Sequence, residues 1–303
     1  MATVNKRIYH PQALTVNSVA AGGLITVTVL EGYENVMSSP PDGLQGPPII
    51  DREVQFCRGT IVIQDWPDAI NLLTGVVGTL VFYERKSGTA EASGYIKHTL
   101  TNPVIHQINV ALGKGGYITV SASFECKAAD ETKTIVDMHA MTDSQNAPTY
   151  ISAARGGWRV VTTAHGAVSV YHVTGFNFSI SLPVAKACND ADIAYTCVDA
   201  KQSGMTCGGS LNFQDAEITA AKLKVQDLLL AVASSLVLTV VQSSGAANKV
   251  ITIARAIFTG DSENSDVNAD FGGYSVNFDV ANDPSTPLTL DGTNKIITIE
   301  DAA

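Results

Sequence analysis

Apolar and polar residues alternate through residues 53–64, EVQFCRGTIVIQ, and alternation returns through residues 215–226, DAEITAAKLKVQ, without a gap at a spacing of 162. A period of two sends successive side chains to opposite faces of a strand, one buried and one wet. Glu53 matches Asp215, Asp65 matches Asp227, and Gln64 matches Gln226. Phe56, Ile61 and Ile63 stand against Ile218, Leu223 and Val225. A self-match at so long a period points to duplication of a whole domain, not to a short solenoid repeat.

Both copies run into a helix signal. Asp65 can cap, Pro67 suits a first turn, Asp68 favours the positive helix end, and Gly75 is a stop. Trp66, Ala69, Ile70 and Leu73 then share one face, and the counterpart helix starts at Asp227 and uses 228–233. Further strands are expected in pairs: 14–18 and 24–30 with 168–172 and 176–182, 79–84 with 236–241, 95–100 with 250–257, and 116–121 with 273–278. Each half thus reads as strand, strand, long loop, strand, short helix, then three strands.

The pattern predicts a mainly β chain of two tandem, similar antiparallel β-barrel or sandwich domains, each with one short flanking helix. Residues 1–13 form a polar N-terminal arm, 14–126 the first domain, 127–158 a connector, 159–285 the second domain and 286–303 a C-terminal arm. Residues 32–51 carry Pro40, Pro41, Pro47 and Pro48 and read as a long loop, of a length more often used for interaction than for packing. Residues 183–212 form an insertion at the same place in the second half and hold Cys188, Cys197 and Cys207.

Composition narrows the class. The 303 residues are only 16% charged and rich in Val, Ile, Thr, Ser and Gly, which excludes a disordered or coiled-coil chain. Net charge is −10, with 14 acids and 10 bases in residues 1–150 and 15 and 9 in the rest. Such a balance disfavours tight binding to phosphate backbones, which needs clustered Lys and Arg. No apolar h-region opens the chain and no apolar run reaches membrane-spanning length. Five irregularly spaced cysteines favour a reduced protein, although the three in 183–212 are near enough in sequence to pair.

Catalytic signatures are missing: no GxSxG, GxxxxGK[ST] or HExxH occurs. Gly113-Lys114-Gly115-Gly116 precedes a strand and reads as a hairpin turn. The six histidines fall singly, without the spacing of a metal pair, and read as surface or packing residues. Asp266-Val267-Asn268-Ala269-Asp270 lacks the turn glycine and terminal glutamate of a calcium loop and reads as a solvated acidic loop. The expectation is a non-enzyme with no cofactor and no metal.

The order of elements resembles the tail-tube fold of long-tailed bacteriophages. The likeness is carried by EVQFCRGTIVIQD with DWPDAINLLTG, by GTLVFYERKSG and by GGYITVSASF. The resemblance implies a virion structural protein, assembled in the host cytoplasm, that forms rings stacked into a tube for genome ejection. In that family the loop between the second and third strands reaches the neighbouring ring, which here implies contacts by Pro40, Pro41, Leu44, Pro47, Pro48 and Ile49. Members with two fused tube domains close rings as trimers. Implied partners are further copies of the chain, the tape measure, distal tail and terminator proteins, and double-stranded DNA in passage without tight binding. Glu84, Glu91, Asp261 and Glu263 are the candidate acids of the lumen. A baseplate hub or distal-tail protein of the same fold, or a two-domain β-sandwich adhesion module, reads in nearly the same way.

Overall fold

The computed structural model describes residues 9–38, 49–64, 67–74, 77–86, 94–113, 116–129, 134–149, 157–170, 173–187, 197–200, 204–214, 229–242, 248–264, 273–290 and 292–302. The alternating segments form strands, and the chain is mainly β with large antiparallel sheets.

The first half begins with β1 (Tyr9–Val16), which turns through Asn17 and Ser18 into β2 (Val19–Ala21). A long hairpin of β3 (Leu24–Ser38) and β4 (Ile49–Gln64) follows, then α1 (Ala69–Leu73), β5 (Thr79–Lys86), β6 (Tyr95–Thr101), β7 (Pro103–Leu112) and β8 (Thr119–Cys126). α2 (Ile135–Met138) and β9 (His139–Gln145) complete it. The second half contains β10 (Trp158–His165), β11 (Val168–Val170), β12 (Val173–Ser181), a short hairpin of β13 (Val184–Ala187) and β14 (Cys197–Ala200), and β15 (Thr206–Gln214). It ends with β16 (Ser234–Gln242), β17 (Lys249–Asn264), β18 (Gly273–Val280) and β19 (Ile297–Asp301).

The pairing scheme of the first half recurs in the second. β1 pairs β2 and β5, as β10 pairs β11 and β16. β4 lies between β3 and β8, as β15 lies between β12 and β18. β17 does the work of β6 and β7 together, pairing β16 along its first part and β18 along its second. The break between β6 and β7 falls at Asn102 (φ 48°), and its counterpart within β17 is Arg255 (φ 49°). Both carbonyls accept a backbone bond just past the last strand: Lys127 N–H to Asn102 O at 2.9 Å, Ala281 N–H to Arg255 O at 3.0 Å. Bulges recur too, at Gln12/Leu14 and Val160/Thr162, Leu24/Thr26 and Val173/Gly175, Ile105/Gln107 and Phe258/Gly260.

This scheme corrects the self-match. Residues 215–228 lie outside the described residues, and the strand standing where β4 stands is β15. The repeat in register is FCRGTIVIQD at 56–65 against TCGGSLNFQD at 206–215, a spacing of 150 with Cys, Gly, Gln and Asp identical. The shared glycine has a reason. A Cβ on Gly59 would meet Thr28 O at 2.0 Å and the Phe124 ring at 2.8 Å; on Gly209 it would meet Asn177 O at 2.1 Å and the Phe278 ring at 2.9 Å.

Other boundaries also move. Residues 9–13 are strand, not arm, and residues 32–38 and 49–51 continue the β3–β4 ladder as far as Ser38 opposite Ile49. Backbone pairing needs no apolar periodicity, so a polar two-stranded ribbon can run on beyond Arg58, where β8 stops pairing. From Ile49 that overhang reaches about 30 Å at roughly 3.3 Å per residue. The expected connector 127–158 contains β9, which pairs β6 as β19 pairs β17, so each half carries a late edge strand. Segment 206–212, expected in an insertion, is ladder strand, and β7, unforeseen as a separate strand, supplies the link between halves.

One sheet runs β2-β1-β5-β6-β9, and a long sheet runs β11-β10-β16-β17-β18-β15-β12-β7-β8-β4-β3, with β19 added on β17. Leu14, Val16, Leu80 and Leu100 of the first face Ile61, Ile63, Val120 and Phe124 of the second, all nearly inaccessible. Each contributes about 1.5–3 kcal/mol by burial. α1 buries Ala69, Ile70 and Leu73, the face its sequence marks. No helix among the described residues is long and apolar enough to cross a membrane.

Candidate functional site

Two features stand apart from ordinary core. The first is a pair of junctions between the halves. β7 pairs β12 from Gln107 opposite Ser181 to Leu112 opposite Phe176, so strands of both halves share one sheet. α1 meets β19: the Asn71 side-chain amide donates to Ile299 O at 2.8 Å, and Ile299 N–H donates to Asn71 Oδ1 at 3.3 Å. Beside it, Lys249 Nζ donates to Asp68 at 2.8 Å and Asp301 at 2.7 Å. Burial pulls the Lys249 ammonium down, but these two carboxylates outweigh it and leave its pKa raised.

Each junction has a counterpart without a partner among the described residues. By the repeat, β3 corresponds to β12 and the later part of β17 to β7; β3 pairs only β4, and β17 from Ile257 onward pairs only β18 among the described residues. β9 corresponds to β19. Among the described residues, Leu230, in the short helical stretch 229–230, is 86% exposed and Val232, just after it, 82%, and Val136 of α2 and Met141 of β9 are exposed as well.

The face of the long sheet turned away from the core carries Asn109, Ser121, Ser123, Asn177, Ser179 and Asn277, half-buried or exposed. The residues paired with them show that this face is continuous, and its described charges are few: Arg58, Glu125 and Asp279. Asp261 and Glu263 lie on β17, but their side chains, like all of Glu91, are outside the described residues. Glu84 stands on β5 of the other sheet with its carboxyl at His98, so it is not part of this polar face. Pro40, Pro41, Leu44, Pro47 and Pro48 lie outside the described residues, and Ile49 begins β4.

The second feature is a polar cluster in the first half. His98 Nδ1 lies 3.0 Å from His139 Nε2, and His139 Nδ1 lies 2.5 Å from Glu31 Oε1. His98 Nε2 approaches Glu84 at 3.4 Å without forming a hydrogen bond. Burial, reinforced by His139, holds His98 down at about 4, and burial raises Glu84, so this contact is not an ion pair at neutral pH. The Phe82 ring stacks on His98 at 4.4 Å. Cys57 and Cys126 are fully buried alongside, and the Cys126 thiol, hydrogen-bonded to Cys57 in a buried setting near Glu125 and Glu31, is pushed far up.

The histidines that fall singly in the sequence are therefore not all single in space. A signal was present: His98 shares the inward face of β6 with Leu100. A polar residue on a buried face marks a position needing a partner. The partner, His139, lies on a different strand 41 residues away, which no local spacing reveals. Cys207 is a free thiol, raised to about 12 by burial. The calcium-like segment at 266–270 lies outside the described residues.

No protein-family model matches the sequence, and no curated protein matches it.

Proposed function

We propose that this chain is the structural subunit of a bacteriophage tail tube: two tandem β-barrel units that polymerise head to tail into rings and, by stacking, into a conduit for DNA. One observation carries the reading: both junctions between the halves have an open counterpart at the far ends of the chain. A second copy placed by the same relation sets its β3 along β17 of the first, and brings Leu230 and Val232 of the first over its β9. Exposed strand edges and apolar side chains of this kind otherwise invite uncontrolled aggregation, and a closed ring removes them. The contacts are heterologous, so they close only at a fixed copy number.

Six units suit a ring of three chains. Each chain brings eight strands, β3-β4-β8-β7-β12-β15-β18 and the later part of β17, so three copies make 24. Closed barrels of about 16–18 strands already enclose an aqueous channel. The polar face would line it. A wall of Ser, Thr and Asn offers DNA neither the cations that hold phosphate nor a dense repelling field, so neutrality rather than acidity is the property invoked. The β3–β4 ribbon projects beyond the barrel and is the element for contact between rings. No catalytic role is invoked.

The register of β7 on β12 transfers to the intermolecular seam and sets Leu30 opposite Ser262. Within one chain these positions are seven strand spacings apart, about 34 Å at roughly 4.8 Å each. The double variant Leu30→Cys, Ser262→Cys, oxidised after assembly, should give covalent trimers on non-reducing gels and tubes in electron micrographs. A monodisperse monomer that never cross-links sinks the reading; a covalent ring of another copy number sinks the trimer alone.

A further inference from the structure

The two halves supply an internal control for the polar cluster. By matched strand pairing, Glu31, Glu84, His98, Cys126 and His139 stand where the second half has Ile180, Val240, Ile251, Val280 and Ile297. The second half pairs its strands in the same way around hydrocarbon, so the fold does not require polar groups at these places. A buried Ile or Val contributes about 1.5–3 kcal/mol. The first half forgoes that at five positions: it buries two imidazoles and a thiol, and sets the half-buried Glu84 and the exposed Glu31 against them. Within the cluster, one ligand-type atom each of Glu31, Cys57 and His139 lies within 4.8 Å of the others.

We propose that Glu31, Cys57 and His139 bind one zinc ion per chain. A thiolate, an imidazole and a carboxylate are three donors of a tetrahedral site for a borderline-soft cation, with the fourth position left to water. Calcium and magnesium are disfavoured, because they take six or more oxygen ligands. His139 Nδ1 is the ligating atom, now 2.5 Å from Glu31 Oε1. Its other nitrogen is held by His98 at 3.0 Å, with Glu84 behind, the outer support a metal-bound histidine requires. The ion displaces the thiol proton of Cys57 and the proton between His139 and Glu31, which leave to solvent. Glu31 and Cys57 come from the long sheet and His139 from the other, so zinc ties the two sheets together.

The test uses the full chain purified under reducing conditions. Elemental analysis should find one zinc per chain. Cobalt(II) added to the metal-free protein should produce a thiolate-to-cobalt charge-transfer band and the intense visible bands of tetrahedral cobalt. Cys57→Ser and His139→Ile, the latter copying the second half, should lose the bands while circular dichroism stays native. His98→Leu should weaken zinc about 10–100-fold. Cys207→Ser, the matching cysteine of the other half, should change nothing. If the Cys57 variant fails to fold, the wild-type metal content and cobalt spectrum decide alone. Absence of both in the wild type, bands surviving Cys57→Ser, or a Cys57–Cys126 disulfide in place of metal overturns the site.

Discussion

Gly59 stands opposite Phe124 on the β4–β8 ladder, and any side chain at 59 would enter the space of that ring and of the Thr28 carbonyl. The same relation holds between Gly209 and Phe278. Neither glycine has a positive φ; each is demanded by proximity. Gly59→Ala and Gly209→Ala should each destabilise the fold by about 1–3 kcal/mol through overpacking. Gly113→Ala, where a Cβ meets nothing within 4 Å, should stay within about 0.5 kcal/mol. Urea unfolding midpoints check all three.

Acid should weaken the metal-free protein through His98. Its pKa is lowered from 6.5 to about 4, so the folded state favours the neutral ring. The sign follows: the contribution is complete above pH 6.5, falls as pH drops from 6.5 towards 4, and costs at most about 3 kcal/mol below that. Unfolding free energies measured with chelator at pH 7 and pH 4.5 should differ less in His98→Leu than in the wild type. An equal difference would show that His98 is not the titrating group.

In the proposed tube, removing the tip of the β3–β4 ribbon should separate ring formation from stacking. Deleting residues 38–47 takes away three of the four prolines and leaves the paired core of the hairpin. The variant should fold and cross-link through Leu30→Cys and Ser262→Cys, yet form no long tubes. Tubes of normal length in electron micrographs would remove the ribbon from the contact.

The exposed pair Leu230 and Val232 tests the second junction. Leu230→Asp should leave the unfolding midpoint of the lone chain within about 0.5 kcal/mol, since the side chain is 86% exposed. It should nevertheless abolish ring closure in light scattering. Asn71→Ala acts on the equivalent junction inside the chain and should instead cost stability, about 1–2 kcal/mol for two partly buried hydrogen bonds.

The sequence by itself determined the β class, the buried face of α1 and most strands, because alternation and capping are local and act within a few residues. It also determined that the chain is doubled, although the register first read from 53–65 and 215–227 was set by similar alternation, which any two amphipathic strands share. What identifies the true copy, CRGTIVIQ against CGGSLNFQ, is a glycine whose necessity appears only when Phe124 or Phe278 stands across from it. Tertiary structure alone decided that β7 joins β12, that α1 rests on β19, and that Glu31, Cys57, His98 and His139 meet. Those contacts join residues far apart in sequence through backbone bonds and burial, and neither leaves a periodic trace. The prolines of 39–48 could be read as a loop, but the strands leading to it could not, since a ladder is held by main-chain groups that every residue possesses.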